Sequence, residues 1–127
     1  MHFDQRTQRA LREVGLDTDD LRRASELVVD AVSADAEALE TVFERHDTVY
    51  SDMDLAHSSA DYPEHTVEYL DVTTHADEMR GWLRFDTWGV PVEDGRILDA
   101  EEEYVELTVG RPIHGRVRFA PDRETLR

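Results

Sequence analysis

The spacing of apolar positions changes near residue 48. Upstream they recur every three to four residues, as on one face of an α-helix; downstream they alternate, as on one face of a β-strand. Asp4 to Val14 predicts a first helix, with Asp4 as N-cap, Gly15 just past the end, and Thr7, Ala10, Leu11 and Val14 on one face. A second stripe starts after Asp17-Thr18 with Leu21, Ala24, Leu27, Val28, Ala31 and Val32, and continues through Ala36, Leu39, Val42, Phe43 and His46. One helix from 18 to 46 would be about 43 Å long, against a radius of gyration of about 14 Å for a domain of this size. Ser33, followed by Asp35 and Glu37, is therefore expected to cap a break, giving two helices there.

Val49, Ser51, Met53 and Leu55 then alternate with Tyr50, Asp52 and Asp54 as a half-buried strand, and a polar connection with Pro63 follows. Thr66 to Trp88 reads as two strands joined by a turn at His75–Glu78. Leu70, Val72, Leu83 and Phe85 face one way; Tyr69, Arg80, Trp82 and Arg84 face the other. Gly89 to Leu98 reads as a small hairpin turning at Asp94-Gly95, with Pro91 at an edge or bulge. Val105, Leu107 and Val109, then Ile113, Gly115, Val117 and Phe119, form the last antiparallel pair around Gly110-Arg111-Pro112, with Glu106 opposite Arg116 or Arg118. Pro121 ends the strand, and the tail is expected to fray.

Helices first and strands after, without βαβ alternation, predict an α+β fold: two or three N-terminal helices packed on one face of a mostly antiparallel β-sheet of about five strands. The 127 residues suit a single domain, with a helical part at 1–46, a sheet part at 48–119 and a tail at 120–127.

Composition changes the reading of the surface. Thirty acids face fourteen arginines and no lysine, for a net charge of −16. This balance resembles that of proteins from a salt-rich, haloarchaeal cytoplasm. At molar salt the Debye length is about 3 Å, so the acidity need not imply a basic partner. There is no cysteine, no apolar run long enough to span a membrane and no apolar leader, so a cytoplasmic, membrane-free protein is expected.

Most catalytic signatures are excluded. Without lysine there is no Schiff base and no P-loop; Gly-x-Ser-x-Gly and His-Glu-x-x-His are also missing. Ser58 and Ser59 beside His57 and Asp61 are adjacent in sequence only, which is not triad geometry. His46, His57, His65 and His75, with Asp52 and Asp54 between them, are the candidate ligands for zinc or another divalent metal. The window 46–65 holds five acids, the ordinary number for this composition, and three histidines, a mild excess. Asp52-Met53-Asp54 opens like an EF-hand loop, but His57 stands at its glycine position and Pro63 at its last. Tyr69, Trp82 and Trp88, with His75, Asp71 and Asp86, are the candidate ligand-binding set. Residues 1–14 carry three arginines against two acids and residues 111–127 five against two. Helix-turn-helix spacing near Gly15 is offset by Asp19, Asp20, Glu26 and Asp30, which phosphate would repel, so nucleic acid is not an expected partner.

The opening MHFDQRTQRALREVGLDTDDLR, the segment SDMDLAHSSAD and MRGWLRFDTWGVP together resemble one of the small uncharacterised haloarchaeal protein families, a resemblance that implies no activity or cofactor. A second resemblance, carried by ALETVFERH, VEYLDV and VEDGRILDAEEEY, is to nuclear-transport-factor-2-like domains; it implies a curved α+β cone around a pocket, often dimeric. The leading functional expectation is a non-enzymatic interaction module, homo-oligomeric through its sheet surface. The alternatives are a small-molecule binder or enzyme with a pocket between helices and ribbon, and a metal-binding protein using the His46–His75 region.

Overall fold

The computed structural model describes residues 3–53 and 62–127. Two helices, α1 (Gln5–Glu13) and α2 (Thr18–Arg45), precede six strands and a terminal helical turn. The strands are β1 (Thr48–Ser51), β2 (Glu64–His75), β3 (Glu78–Phe85), β4 (Gly89–Asp99), β5 (Tyr104–Val109) and β6 (Gly115–Ala120); α3 is Arg123–Leu126. All neighbours are antiparallel in the order β1-β2-β3-β4-β5-β6, and β1 also pairs with β6, so the sheet closes into a barrel.

The α+β class holds, with six strands rather than five. The expected break at Ser33 is absent: α2 runs unbroken for 28 residues. Its start is fixed by a capping box, in which Asp17 accepts the Asp20 N–H and Asp20 accepts the Asp17 N–H. No glycine or proline follows before residue 46, and Ser33 is exposed, so its hydroxyl can be solvated without ending the helix. The part of α2 that enters the main core is Ala36, Leu39 and Phe43. α1 is capped as expected, with Asp4 Oδ1 accepting the Thr7 N–H at 2.7 Å, but it buries no residue, and Val14 stands 76% exposed.

The core lies inside the barrel. Val49, Leu70, Val72, Met79, Leu83, Phe85, Val90, Val92, Val105, Leu107, Val109, Val117 and Phe119 converge on Leu39 and Phe43 of α2. Phe43 meets Phe119 edge-on at 5.4 Å. Side chains thus fill the interior where the nuclear-transport-factor-2-like resemblance implies a pocket. β1 stops pairing with β2 at Thr66; farther along β2, Glu40 Oε1 of α2 accepts the Val72 N–H at 3.2 Å.

The expected hairpin at Asp94-Gly95 is instead the middle of one long strand, β4, bulged between Val92 and Asp94. Gly95 serves close approach: a Cβ there would come within 2.7 Å of Leu39 and 2.8 Å of Leu107. The β2–β3 hairpin turns at Ala76-Asp77, with His75 opposite Glu78 as expected. The Gly110-Arg111-Pro112 turn also stands, its Arg111–Pro112 bond cis. Glu106 lies opposite Arg118, although its ion partner is Arg96 of β4 at 3.0 Å. The tail expected to fray forms α3, capped by Asp122 and anchored by buried Leu126.

Candidate functional site

The outer face of β2 and β3 carries the largest exposed aromatic groups of the barrel. The alternation that sends Leu70, Val72, Leu83 and Phe85 inward sends Tyr69, Asp71, Trp82 and Arg84 outward. Register places Tyr69 opposite Arg84 and Asp71 opposite Trp82, so Tyr69 and Trp82 are diagonal neighbours, 45% and 40% exposed. Trp82 also faces Pro91 of β4, and its ring covers Gly89, where a Cβ would sit 2.7 Å from the indole. The support is stiff. Gly81 lets β2 and β3 approach so closely that a Cβ would collide with the Asp71 carbonyl. Arg80 Nη1 donates to the Met79 and Glu93 carbonyls, pinning β3 to β4, and Arg84 lies 3.6 Å from Glu68.

The remaining members of the candidate ligand set are not gathered here. Trp88 packs against the core, 4.8 Å from Phe85. His75 is exposed at the far end of β2, and exposed Asp86 lies beyond β3, its N–H bonded to the Thr66 carbonyl. The space between α2 and the ribbon is occupied by Leu39, Phe43, Leu70, Val72 and Leu83.

The metal candidates are likewise dispersed, and Asp54 and His57 lie outside the described residues. Asp52 is engaged by Arg118: Oδ1 accepts its N–H at 2.8 Å, Oδ2 accepts its Nε–H at 2.6 Å, and Arg118 Nη1 donates to the Tyr104 hydroxyl. Its hydrogen bond to Asp52 raises the Arg118 pKa. His46 ends α2 with Nε2 3.0 Å from Glu103 Oε2, an ion-pair distance without hydrogen-bond alignment. Among the described residues no group of three or more histidines and acids is placed to hold a metal ion.

His65 belongs to a pair the sequence reading missed. It points into the barrel, 6% exposed, with Nε2 2.7 Å from the Oγ of fully buried Ser51. Ser51 Oγ also accepts the Met53 N–H at 3.2 Å, so the arrangement satisfying both partners has the hydroxyl donating to a neutral imidazole. Phe85 stacks on the ring at 4.8 Å, and Trp88 and Phe119 flank it. Burial pulls its pKa down from 6.5 to about 4. The signal was present in the row Val49-Ser51-Met53, whose polar member had to meet a polar partner inside. The pair fastens β1 to β2 beside the seam, with both side chains buried.

Two surface depressions lie elsewhere. One of about 460 Å³ lies against Gln5, Gln8, Arg9, Arg12 and Glu13 of α1; another of about 160 Å³ lies over Asp94, Arg96, Glu106, Thr108 and Arg116. Neither includes a residue of the candidate sets.

Fold and site together define a small α+β protein: a closed antiparallel barrel with a long helix packed into it and an aromatic patch on its outer wall. A family of unknown function, DUF7532, matches residues 1–124, and the chain belongs to it. No curated protein and no solved structure matches the chain. No helix among the described residues is long and apolar enough to cross a membrane.

Proposed function

We propose that the protein is a non-enzymatic interaction module whose contact surface is the outer face of β2, β3 and β4 around Tyr69 and Trp82. The observation that carries this reading is the pair of large aromatic rings standing 45% and 40% exposed, side by side on a rigid wall. Tyr, Trp and Arg are enriched where proteins meet: flat aromatic rings bury much area while ordering few rotors, and a guanidinium plane stacks and hydrogen-bonds at once. Arg80 and Arg84 already flank the rings. The acidic remainder of the surface suits a salt-rich cytoplasm, where screening leaves apolar contact as the main attraction.

The reading is tested by a photocrosslinking amino acid at position 69, with the same residue at exposed position 111 in the β5–β6 turn as control. Adducts are expected from position 69, diminished by Trp82→Ala, and not from position 111. Illumination in living cells yielding no adduct from position 69 would remove the proposal.

A further inference from the structure

The partner chemistry follows from how the four outward residues are laid out, given the contact-surface reading above, on which this inference rests. Tyr69 stands opposite Arg84 and Asp71 opposite Trp82. The aromatic rings therefore occupy one diagonal of a square, and an acid and a base occupy the other. We propose that this face docks a second copy of the chain across a two-fold axis lying along the Tyr69–Trp82 diagonal.

Such an axis lays each aromatic ring on its own counterpart and sets each Asp71 against the other copy's Arg84, twice per dimer. A two-fold interface demands this self-complementarity, in which residue i meets j and j meets i. Arg84 is held only weakly by Glu68: the contact is long, at 3.6 Å, and both side chains are substantially exposed, at 37% and 50%, so the guanidinium can turn to a second copy. Charge also selects a second copy over other occupants. The square is locally neutral, whereas the chain as a whole carries −16, so two copies meeting here bring together surfaces less repulsive than the chain's average. Rising salt screens the remaining repulsion between the two acidic bodies and strengthens aromatic burial, so self-association tightens with salt. Attachment to a basic partner would weaken instead.

Sedimentation velocity of the full chain over a concentration series, from about 0.1 to about 3 M KCl, tests this. A dimer that tightens with salt is expected. Trp82→Ala should weaken it by at least about tenfold. Asp71→Arg and Arg84→Asp should each weaken it, because each sets like charges against one another. An equimolar mixture of those two variants should recover the dimer, since one chain then carries a base at both positions, the other an acid at both, and opposite charges meet at each contact across the axis. All four positions are outward-facing, and thermal melting checks that each variant is folded. A monomer at every concentration and salt overturns the proposal, as does a dimer indifferent to Trp82→Ala, a dimer that dissociates as salt rises, or a mixture that fails to recover. Crosslinking from position 69 separates the two layers. Adducts to a different protein sink the second copy and keep the contact surface, while no adduct sinks both.

Discussion

Acid should loosen this protein through one imidazole. In the unfolded chain His65 takes up a proton near its ordinary 6.5; in the fold burial lowers that to about 4. Above 6.5 both states hold a neutral ring and pH has no effect through this group. As pH falls below 6.5 the unfolded chain binds a proton that the folded chain refuses, so stability falls, and the loss is complete below about 4. The full gap corresponds to about 3 kcal/mol, of which about 2 kcal/mol is lost by about pH 5. That is a large share of the roughly 5–15 kcal/mol typical of a domain. Among the described residues the groups against the His65 ring are uncharged: Ser51 of β1, Phe85 of β3, Phe119 of β6 and the Trp88 ring. The comparison protein is the double variant Ser51→Ala, His65→Phe, which removes both members of the pair; it also takes the acceptor from the Met53 N–H, so its stability at about pH 7.5 should lie about 1–3 kcal/mol below wild type. Urea unfolding at fixed high salt should then find the stability difference moving by about 2 kcal/mol in the double variant's favour between about pH 7.5 and about pH 5, with the thirty carboxylates common to both. Parallel pH profiles from about pH 7.5 to about pH 5 would refute the reasoning, because they would mean that His65 is protonated as easily folded as unfolded.

Three further outcomes are expected. Asp52→Ala removes both acceptors of Arg118, on its N–H and its Nε–H, and should cost about 1–3 kcal/mol in urea unfolding, with Asp52→Asn recovering part of that through its remaining amide oxygen. Gly95→Ala should cost about 1–3 kcal/mol, because its methyl meets Leu39 and Leu107; an unchanged melting temperature would mean that α2 does not press on β4. Raising KCl from about 0.01 to about 3 M should lift the melting temperature steeply at first, as repulsion among the unpaired acids is screened; a flat curve would show that the surface is not salt-adapted.

What could be read from the sequence was what is local. Val105, Leu107 and Val109, and Val117 and Phe119, alternate without interruption and are buried in that order. The β2–β3 turn was placed because His75 to Glu78 separates two alternating runs, and the same alternation put Tyr69 and Trp82 outward. Three features were out of reach for one physical reason, that each depends on residues far away in the chain. Barrel closure pairs Tyr50 with Ala120 and Ser51 with Phe119, and neither end carries a local mark of the other. Gly95 follows an aspartate and so reads as a turn, yet its need for glycine comes from Leu39 and Leu107. The uninterrupted α2 looks too long for a domain of this size until the barrel takes up Leu39 and Phe43. Among candidate site residues, the histidines and acids were grouped by nearness in sequence, whereas the barrel sends His65 inside, holds Asp52 on Arg118 and leaves His75 at a strand end.

The four-residue strand β1 has a consequence for how the molecule is made. It closes the barrel by pairing with β6, the last of the six strands to leave the ribosome. The apolar side of α2 finds Gly95 and Leu107 only after β4 and β5 have emerged, and Phe43 meets Phe119 later still. During synthesis, β2 and β3 can cover part of Leu39 and Phe43 early, but their packing stays incomplete until β5 and β6 are added. The β2 to β5 meander needs only neighbouring segments and can assemble first, whereas the seam requires the first and last strands of the sheet. A ribosome stalled before residue 119 would hold an open sheet with its helix only partly covered, and the acidic surface, rather than the fold, would have to keep such a nascent chain from sticking to its neighbours.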